Sequence, residues 1–576
     1  MKIPRTYKIV PLLLLLFLFS KQIHSQNKKF PQNYFRSPVD FDITLAGNFA
    51  ELRNNHFHSG IDIRTFKTGK KVYAIADGFV SRIKISASGY GKAIYIDYPN
   101  GYTSVFAHLD HFNTNIEEFV KSYQYTNKTF EFDLNLEKDQ IAVKKGSVIA
   151  FSGNTGSSAG PHLHFEIRDT KSEHPLNPLL FGFKIKDTTP PKIFNFYAYP
   201  LDSASNVNGF NSRQTFPVTY YNKAYHLKGD PKLKLLGNIG FALETNDYMD
   251  NTWGKCGIFD VKMKINDTLI SSYSFEEFSF DESRYINSHM DYELNVTQKK
   301  RIHKTFKEPN NKLSIYSKMK NNGILQSKKG ASYKIDFLIS DANLNKSKLR
   351  IYAKGNETEK IFPKGAFETL MNYEEENIFE KKDIELRFPK NSFYTTIPFT
   401  YSVEKDSNYL SDIHCIHNEN IPVHNYYTIS IKPRYVPKGK SDKLFIARIN
   451  KDGKIVNEGG IYFDSSIKTK TRYFGKFAVT IDTIPPIIKA RTNFKLNSLS
   501  GQKTIRFTIS DNLSGIKSYE GFIDGKWVLF EYDAKNDLLF YVFDSKRLAS
   551  KKNHELKVKI IDQIGNQKIF TSNFIW

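Results

Sequence analysis

The sequence predicts a mainly β protein, with an N-terminal antiparallel β-sheet domain followed by two or three β-sandwich domains. Three observations support this prediction. The chain contains 47 Phe and 33 Tyr, residue types that favour strands. Short runs of alternating apolar and polar residues, separated by turn residues, recur along the chain. Its 576 residues exceed what one hydrophobic core accommodates, and this length predicts three or four domains.

The N-terminus has the features of a secretory signal peptide. Basic residues at Lys2, Arg5 and Lys8 precede an apolar run from Ile9 to Phe19, and the small residue Ser25 follows. We therefore expect residues 1–25 to be removed. The apolar run is shorter than the roughly 20 residues that span a bilayer, which argues against the alternative of a membrane anchor. No later stretch predicts a transmembrane segment, so we expect export to the periplasm or the cell surface.

The chain is strongly basic, with 83 Lys and Arg against 60 Asp and Glu and a formal net charge of +23. Loss of the signal peptide removes four of these positive charges and no acid, leaving about +19. An exported basic protein suits anionic envelope polymers as partners. Expected export and the lack of a nucleic-acid-binding motif argue against nucleic acid. Because the lysines are scattered, general solubility is the alternative interpretation of the charge.

The two cysteines, Cys256 and Cys415, lie far apart in the sequence. Two cysteines in a chain of this length do not form a disulfide framework. The sequence leaves open one bridge or two free, buried thiols.

Two nearly identical segments divide the chain. "DTTPPKI" begins at position 187 and "DTIPPII" at position 482. Paired prolines favour extended backbone and are excluded from the interior of a sheet, so both segments are predicted to be linkers that enter new domains. The predicted domains are 26–186, 187–355, 356–481 and 482–576.

The segments that follow the two linkers resemble each other and resemble bacterial immunoglobulin-like domains. Both contain a strand that ends at an acidic turn and a final pair of strands joined by an acidic turn. The matching positions are Gly257-Ile258 with Gly515-Ile516, and Asp341 to Asn345 with Asp562 to Asn566. Residues 356–481 are predicted to be β-rich without a catalytic constellation. We expect this C-terminal part to serve as a spacer, a docking surface or a self-association surface.

Residues that can carry chemistry are concentrated between positions 45 and 183. In "NNHFHSGIDIRT", Gly60 and the β-branched Ile61 and Ile63 argue against a helix. We predict that His58 lies in a turn and that Asp62 lies on the strand that follows. Ile61 and Ile63 would then face the core while Asp62 faces the opposite side. An imidazole and a carboxylate brought together in this way suit a zinc ion.

Two further segments add three histidines. In "GYTSVFAHLDH", alternation places Thr103, Val105, Ala107 and Leu109 on one face and His108 on the other, with Ser104 and Phe106. In "GNTGSSAGPHLHFEIRD", a loop over 153–160 precedes a strand that starts at Pro161. Leu163, Phe165 and Ile167 would share one face of that strand, and His162, His164 and Glu166 the other. The period of two therefore directs both imidazoles to one side.

These segments resemble the M23 zinc metallopeptidases, the lysostaphin- and LytM-like group. The resemblance covers about 140 residues and includes "HFHSGIDI", "GYGKAIYIDYPNGYTSVFAHL" and "GNTGSSAGPHLHFEIRD". It implies a compact antiparallel sheet with a groove that holds one Zn²⁺ ion. The family pattern assigns His58, Asp62 and His164 as zinc ligands. It assigns His108 and His162 as catalytic histidines that do not bind the metal.

One segment departs from the family pattern. Residues 113–142 form a longer connection than is usual, and "NTNIEEFVKSYQY" within it is predicted to form a helix. This insertion would either wall the groove or occlude it. His56 and His111 lie near the motifs but off the pattern, so we expect them at the surface or around the ligands.

The sequence therefore predicts a zinc metalloendopeptidase that hydrolyses stem or bridge peptides of peptidoglycan by means of zinc-activated water. Two alternatives remain. The domain could be a catalytically silent module that binds zinc or wall peptide and regulates other wall hydrolases, or the chain could be a surface adhesion protein. The presence of all five family positions argues against a silent module.

Overall fold

The computed structural model describes residues 30–250, 252, 254–356, 365–494 and 498–576. The predicted signal peptide, 1–25, lies outside the described residues. The described chain is mainly β, as predicted. None of the helices in these ranges combines the length and the apolar character needed to cross a bilayer. Both cysteines are free thiols.

The N-terminal part forms an eleven-stranded sheet and a separate two-stranded hairpin, β2-β3. In chain order the strands are β1 (Leu45–Gly47), β2 (Leu52–Arg53), β3 (His56–Phe57), β4 (Ile61–Arg64), β5 (Lys71–Tyr73), β6 (Gly78–Ile85), β7 (Lys92–Asp97), β8 (Tyr102–Phe112), β9 (Phe132–Asn135), β10 (Ala142–Val143), β11 (Val148–Ser152), β12 (His162–Asp169) and β13 (Pro175–Leu176). The main path runs β1-β4-β12-β8-β7-β6-β10, and β4, β12 and β8 pair antiparallel. The strands with the candidate site residues are thus direct neighbours.

The predicted faces of β4 and β12 are confirmed. Ile61 and Ile63 on β4, and Leu163, Phe165 and Ile167 on β12, are fully buried in one hydrophobic core. Because side chains alternate along a strand, the residues between them project from the opposite face. That face carries Asp62, His164 and Glu166. Strand β12 begins at His162, one residue later than predicted.

The predicted alternation along β8 is wrong at its end. Phe106 and Leu109 both pack in the main core, whereas Val105 and Ala107 lie on the opposite face in a small cluster with Tyr95. The register against β7 shifts in this stretch, and His108 has a φ of +59°. Such a bulge changes which side the following residues face. It allows His108 to reach the polar face instead of sharing the face of Phe106.

The insertion contains the predicted helix, α1 (Thr114–Asn127). Asn113 caps it, because its side chain accepts a hydrogen bond from the Ile116 amide. Ile116 and Val120 bury one face of the helix in the N-terminal core. The helix therefore lies on the same domain as the candidate site.

The other side of the insertion contacts the last part of the chain. The Tyr125 ring meets Trp527 edge-on at 5.3 Å, and the Arg547 guanidinium lies 4.2 Å from the Tyr125 ring centroid. Lys92 pairs with Glu531 at 2.9 Å. The insertion thus forms part of an interface between the N-terminal and C-terminal sheets.

The second part of the chain forms a twelve-stranded sheet. Its strands are β14 (Lys192–Pro200), β15 (Asn206–Val207), β16 (Gln214–Tyr221), β17 (Ala224–Leu227), β18 (Leu233–Asn246), β19 (Asp260–Ile265), β20 (Thr268–Ser274), β21 (Ile302–Lys304), β22 (Tyr316–Met319), β23 (Leu325–Ser327), β24 (Ser332–Ser340) and β25 (Lys346–Gly355). Two short helices, α2 (Ile286–His289) and α3 (Tyr292–Gln298), lie between β20 and β21.

The hairpin β2-β3 packs into the core of this second part. Leu52 and Phe57 belong to its hydrophobic cluster, and the Phe57 ring lies 5.6 Å from that of Phe275 and 5.3 Å from that of Phe278. His58 follows this hairpin directly. The turn that carries His58 is therefore fixed by the second part of the chain as well as by its own sheet.

Most of the remaining strands form two pairs of sheets, each pair around one core, and β26 and β29 form a separate two-stranded sheet. In the third part they are β26 (Thr369–Met371), β27 (Asn377–Lys381), β28 (Ile384–Phe388), β29 (Ile397–Phe399), β30 (Tyr401–Glu404), β31 (Ile413–Ile416), β32 (Tyr427–Ile431), β33 (Leu444–Ile449), β34 (Ile455–Asn457), β35 (Ile461–Phe463), β36 (Ser466–Thr471) and β37 (Gly475–Ile481). Two five-stranded sheets, β27-β28-β32-β36-β35 and β30-β31-β37-β33-β34, share one core.

The last part has eight strands, β38 (Ile487–Ala490), β39 (Thr504–Ser510), β40 (Ile516–Ile523), β41 (Lys526–Val528), β42 (Phe530–Asp533), β43 (Leu538–Val542), β44 (Asn553–Asp562) and β45 (Gln567–Ile575). They form two four-stranded sheets around one core. Short 3₁₀ helices lie at Pro178–Phe181, Ser283–Tyr285, Lys320–Gly323, Ser441–Lys443 and Ala534–Asn536.

Candidate metal centre

The polar face of the N-terminal sheet brings together the three residues that the sequence singled out as ligands. Asp62 on β4 lies directly opposite His164 on β12 in the antiparallel register. Asp62 Oδ1 lies 2.9 Å from His164 Nδ1 and 3.1 Å from His58 Nε2, and the two nitrogens are 3.1 Å apart. All three residues are buried. One carboxylate oxygen and two imidazole nitrogens therefore meet at a single point.

A glycine permits this approach. A Cβ at Gly60 would lie 2.3 Å from the Phe165 carbonyl oxygen and 2.8 Å from Glu166 Cγ, distances that no side chain tolerates. The turn between His58 and Asp62 can therefore lie directly against β12 only because residue 60 has no side chain.

The second nitrogen of each imidazole is engaged, so the inward nitrogen is defined. His58 Nδ1 lies 2.7 Å from the Asn48 carbonyl oxygen, and His164 Nε2 lies 2.8 Å from Glu166 Oε1. If each of these nitrogens carries the N–H and donates to its oxygen, the neutral imidazoles present their lone pairs at His58 Nε2 and His164 Nδ1. Such outer partners commonly orient histidine ligands in metal sites.

The outer oxygen of Asp62 is also held. Arg53 Nη2 donates to Asp62 Oδ2 at 2.8 Å, which leaves Oδ1 directed at the two imidazoles. Two imidazole nitrogens and one carboxylate oxygen form a donor set that catalytic zinc sites use. The residues therefore fit a metal ion, and His58, Asp62 and His164 could hold one.

Glu166 is a fully buried carboxylate beside this centre. It pairs with the buried Arg168, whose Nε and Nη2 both lie 2.7 Å from Glu166 Oε2. Its other oxygen accepts hydrogen bonds from Ser59 Oγ at 2.5 Å and from the Tyr90 hydroxyl. Glu166 therefore connects a histidine of the centre to a buried cation.

The carboxylates and imidazoles of the centre shift each other's pKa values. Although burial opposes the change, hydrogen bonds and charge from Asp62 and Glu166 raise the pKa of His164 to about 9. Burial likewise opposes the shift at Asp62, where His58 and hydrogen bonds from His162 and His164 hold the pKa well below its usual range. Two buried carboxylates facing one imidazole favour a positive charge at this point.

Two further imidazoles flank the centre. His108 Nδ1 donates to the Thr155 carbonyl at 2.9 Å, and His162 Nδ1 donates to the Gly160 carbonyl at 2.8 Å. The two rings lie 4.7 Å apart, and His162 Nε2 lies 3.5 Å from Asp62 Oδ1. Burial, followed by the charges of His164 and His162, lowers the pKa of His108 to about 3. His108 is therefore a neutral imidazole with Nε2 as its lone-pair nitrogen.

The structure thus brings together all five predicted site residues, and it leaves His56 and His111 exposed at the surface. The sequence did not point to a role for Glu166, although the alternation along the strand placed it on the polar face with His162 and His164. Arg53, Tyr90 and Arg168 were missed, and no motif or spacing pointed to them. Asn48 and Thr155 contribute backbone carbonyls, which residue types do not reveal.

The N-terminal part of the chain is similar to known proteins. Residues 56–129 and 131–178 match the model of Peptidase family M23, and residues 368–482 match that of a Zu5-like domain. The chain is similar to the DD-carboxypeptidase/endopeptidase Mpg of Neisseria meningitidis serogroup B, with 34% identity over 138 residues, or 24% of this chain and 26% of the relative. It is also similar to the murein hydrolase activator NlpD of Escherichia coli, with 35% identity over 123 residues, or 21% and 26%.

Among solved structures, a zinc containing peptidase from Vibrio cholerae matches with 26% identity and a TM-score of 0.19, covering 25% of this chain and 39% of that one. The chain spans less than a third of the length of the two curated relatives. The N-terminal sheet with its cluster of histidines lies within the residues that match a peptidase family. More particularly, the chain carries a domain of peptidase family M23, and the predicted recognition of that family is confirmed.

Proposed function

We propose that this protein is an exported zinc-dependent endopeptidase that hydrolyses peptide bonds of peptidoglycan. The observation that supports it most directly is the meeting of His58 Nε2, Asp62 Oδ1 and His164 Nδ1 between two unligated imidazoles. Three ligands with an open fourth position are typical of catalytic zinc, whereas structural sites are closed by four. A zinc ion bound here would supply a Lewis acid for the scissile carbonyl and activate water for attack at neutral pH.

The two flanking histidines suit the proton transfers of such a hydrolysis. Each fixes its Nδ1–H on a backbone carbonyl, so each directs Nε2 away from that carbonyl. A neutral Nε2 accepts the proton of the attacking water, and the resulting N–H can pass it to the leaving amine. A protonated Nε2 can instead donate a hydrogen bond to the oxyanion of the tetrahedral intermediate. His108 and His162 share these two roles.

The substrate proposal rests on the family and on the relatives. Mpg is named a DD-carboxypeptidase/endopeptidase and NlpD a murein hydrolase activator, and both names place those proteins in cell-wall chemistry. The net charge, about +19 without residues 1–25, complements an anionic envelope polymer. We therefore propose stem or bridge peptides of peptidoglycan as substrate, with the periplasm or cell surface as the location.

Digestion of purified peptidoglycan by the mature full-length chain tests this proposal. We expect soluble peptide fragments with one cut bond type, loss of that activity with a zinc chelator, and recovery on adding one equivalent of zinc. Mass analysis of the fragments identifies the bond. Intact peptidoglycan after incubation with zinc-loaded protein would contradict the proposal.

Replacement of His162 by alanine separates catalysis from metal binding. We expect His162→Ala to retain one zinc per chain and to lose about 10²–10⁴-fold in turnover, the usual contribution of a general acid or base. Zinc content by mass spectrometry and the peptidoglycan assay measure both effects. The exposed His111→Ala serves as control and should retain both. Loss of zinc from His162→Ala would show that its assigned role is wrong.

A silent module that regulates another wall hydrolase is the second candidate, and the similarity to NlpD favours it. It predicts that the chain stimulates a separate wall hydrolase while releasing no fragments alone, whatever its zinc content. The presence of all five site residues favours the enzyme.

A further inference from the structure

Each of the two repeated linkers begins with an aspartate that meets two other aspartates. The first cluster contains Asp187, Asp247 and Asp341, and the second contains Asp482, Asp511 and Asp562. Within each cluster, every aspartate places a carboxylate oxygen within 4.8 Å of those of the other two. Both clusters lie outside the M23 centre, and the proposed function does not use them.

The two clusters are built in the same way. The linker aspartate accepts a hydrogen bond from the amide two residues later, Thr189 in one case and Ile484 in the other, each at 3.0 Å. The third aspartate lies where the second-last strand of its part ends: Asp341 directly follows β24, and Asp562 is the last residue of β44. An asparagine four residues later, Asn345 or Asn566, donates to that carboxylate and, at 3.1 Å, to the carbonyl of the linker aspartate.

These hydrogen bonds leave particular carboxylate oxygens unused. In the first cluster, Asp187 Oδ2 and Asp247 Oδ1 are buried and accept no hydrogen bond, and the two residues are only 6% and 1% exposed. In the second, the same holds for Asp482 Oδ2, on a fully buried residue, and for Asp511 Oδ1. A buried carboxylate oxygen without a partner is costly, so its repeated presence at equivalent positions indicates a missing partner.

No lysine or arginine of the described residues neutralises these carboxylates. Within the described ranges, none of the six aspartates forms an ion pair with a lysine or arginine. Burial, followed by the charges of Asp187 and Asp341, raises the pKa of Asp247 to about 8. The first cluster therefore holds three closely spaced carboxyl groups without a neighbouring lysine or arginine among the described residues.

We propose that each cluster binds one Ca²⁺ ion, which ties the linker to two loops of the β-sheet part that it enters. The donors are oxygens only, which suits a hard cation and not zinc. Mg²⁺ keeps several waters and demands near-ideal octahedral geometry, whereas Ca²⁺ accepts a larger and less regular set of carboxylate and carbonyl oxygens. The deep burial of most of these carboxylates favours the ion that gives up its water more readily.

Calcium titration of the full-length chain tests the proposal. The protein is stripped of metal and reloaded with one equivalent of zinc, so that the M23 centre is filled before calorimetry with CaCl₂. We expect two calcium ions per chain, weaker binding of MgCl₂, and a rise of several degrees in the unfolding temperature with calcium. Absence of saturable calcium binding would overturn the proposal, and magnesium binding as tight as calcium would overturn the choice of ion.

Two conservative variants assign the sites. Asp247→Asn and Asp511→Asn should each remove one calcium ion, and the double variant should remove both. The exposed Asp267→Asn and Asp537→Asn are matched controls and should retain two. Without calcium, Asp247→Asn should be at least as stable as the unaltered chain, because it replaces a carboxyl whose charged form is disfavoured by burial and by Asp187 and Asp341. Unchanged calcium stoichiometry in the double variant would contradict the assignment of the two sites. If a variant does not fold, the number of calcium ions bound by the unaltered chain still tests whether the protein binds calcium.

Discussion

His58→Ala is expected to abolish both zinc binding and hydrolysis of peptidoglycan. The two remaining inward donors, Asp62 Oδ1 and His164 Nδ1, would leave two positions of a tetrahedral ion to solvent. With only two protein ligands, zinc should no longer stay bound through dialysis. The side chain is only 2% exposed, so zinc content must be compared with thermal unfolding to separate ligand loss from local disorder.

The chain offers a matched control two residues away. His56 is exposed, and its Nδ1 lies 2.8 Å from the nearby Asn54 carbonyl oxygen. His56→Ala should therefore keep one zinc ion per chain and full activity. A His58→Ala protein that keeps stoichiometric zinc through dialysis would show that the three donors do not form the metal site.

The positions of two residues of the centre could be predicted from the alternation of side chains along a strand. Asp62 lies between Ile61 and Ile63, and His164 lies between Leu163 and Phe165. In both strands the apolar neighbours enter the core, so the residue between them must project from the other face. Because β4 and β12 are adjacent, the two polar side chains become cross-strand neighbours.

The face on which His108 lies could not be predicted from alternation. A strict period of two places it beside Phe106, on the core side of the sheet. The positive φ at His108 and the shifted register against β7 are set by tertiary pairing, and neither has a signal in a run of residue types. The family resemblance identified His108, whereas the alternation of its own segment indicated the wrong face.

Contacts between distant segments could also not be predicted from the sequence. The hairpin β2-β3 packs into the second hydrophobic core, and the insertion meets the last sheets through Tyr125 and Trp527. Lys535 of that last part donates to the Gly156 carbonyl in the loop that holds both flanking imidazoles. Such contacts depend on the packing of whole sheets, which local periodicity does not encode.

Glu166 is expected to be the most sensitive position outside the five site residues. Glu166→Leu would leave the buried Arg168 guanidinium without its buried counter-charge and His164 Nε2 without its acceptor. Removal of one partner of a buried ion pair typically costs about 3–5 kcal/mol. We expect the transition that includes the N-terminal sheet to fall by on the order of 10 °C. Because an outer partner orients the ligand, zinc affinity should also fall about 10–100-fold.

The double variant Glu166→Leu/Arg168→Met distinguishes the two effects. Replacement of a whole buried ion pair by apolar residues of similar size is often neutral or stabilising, so the unfolding temperature should return close to that of the unaltered chain. Zinc affinity should stay low, because His164 Nε2 still lacks the carboxylate that fixes its tautomer. Recovery of both properties would mean that Glu166 serves the fold alone. Recovery of stability without zinc affinity would establish it as the residue that positions His164.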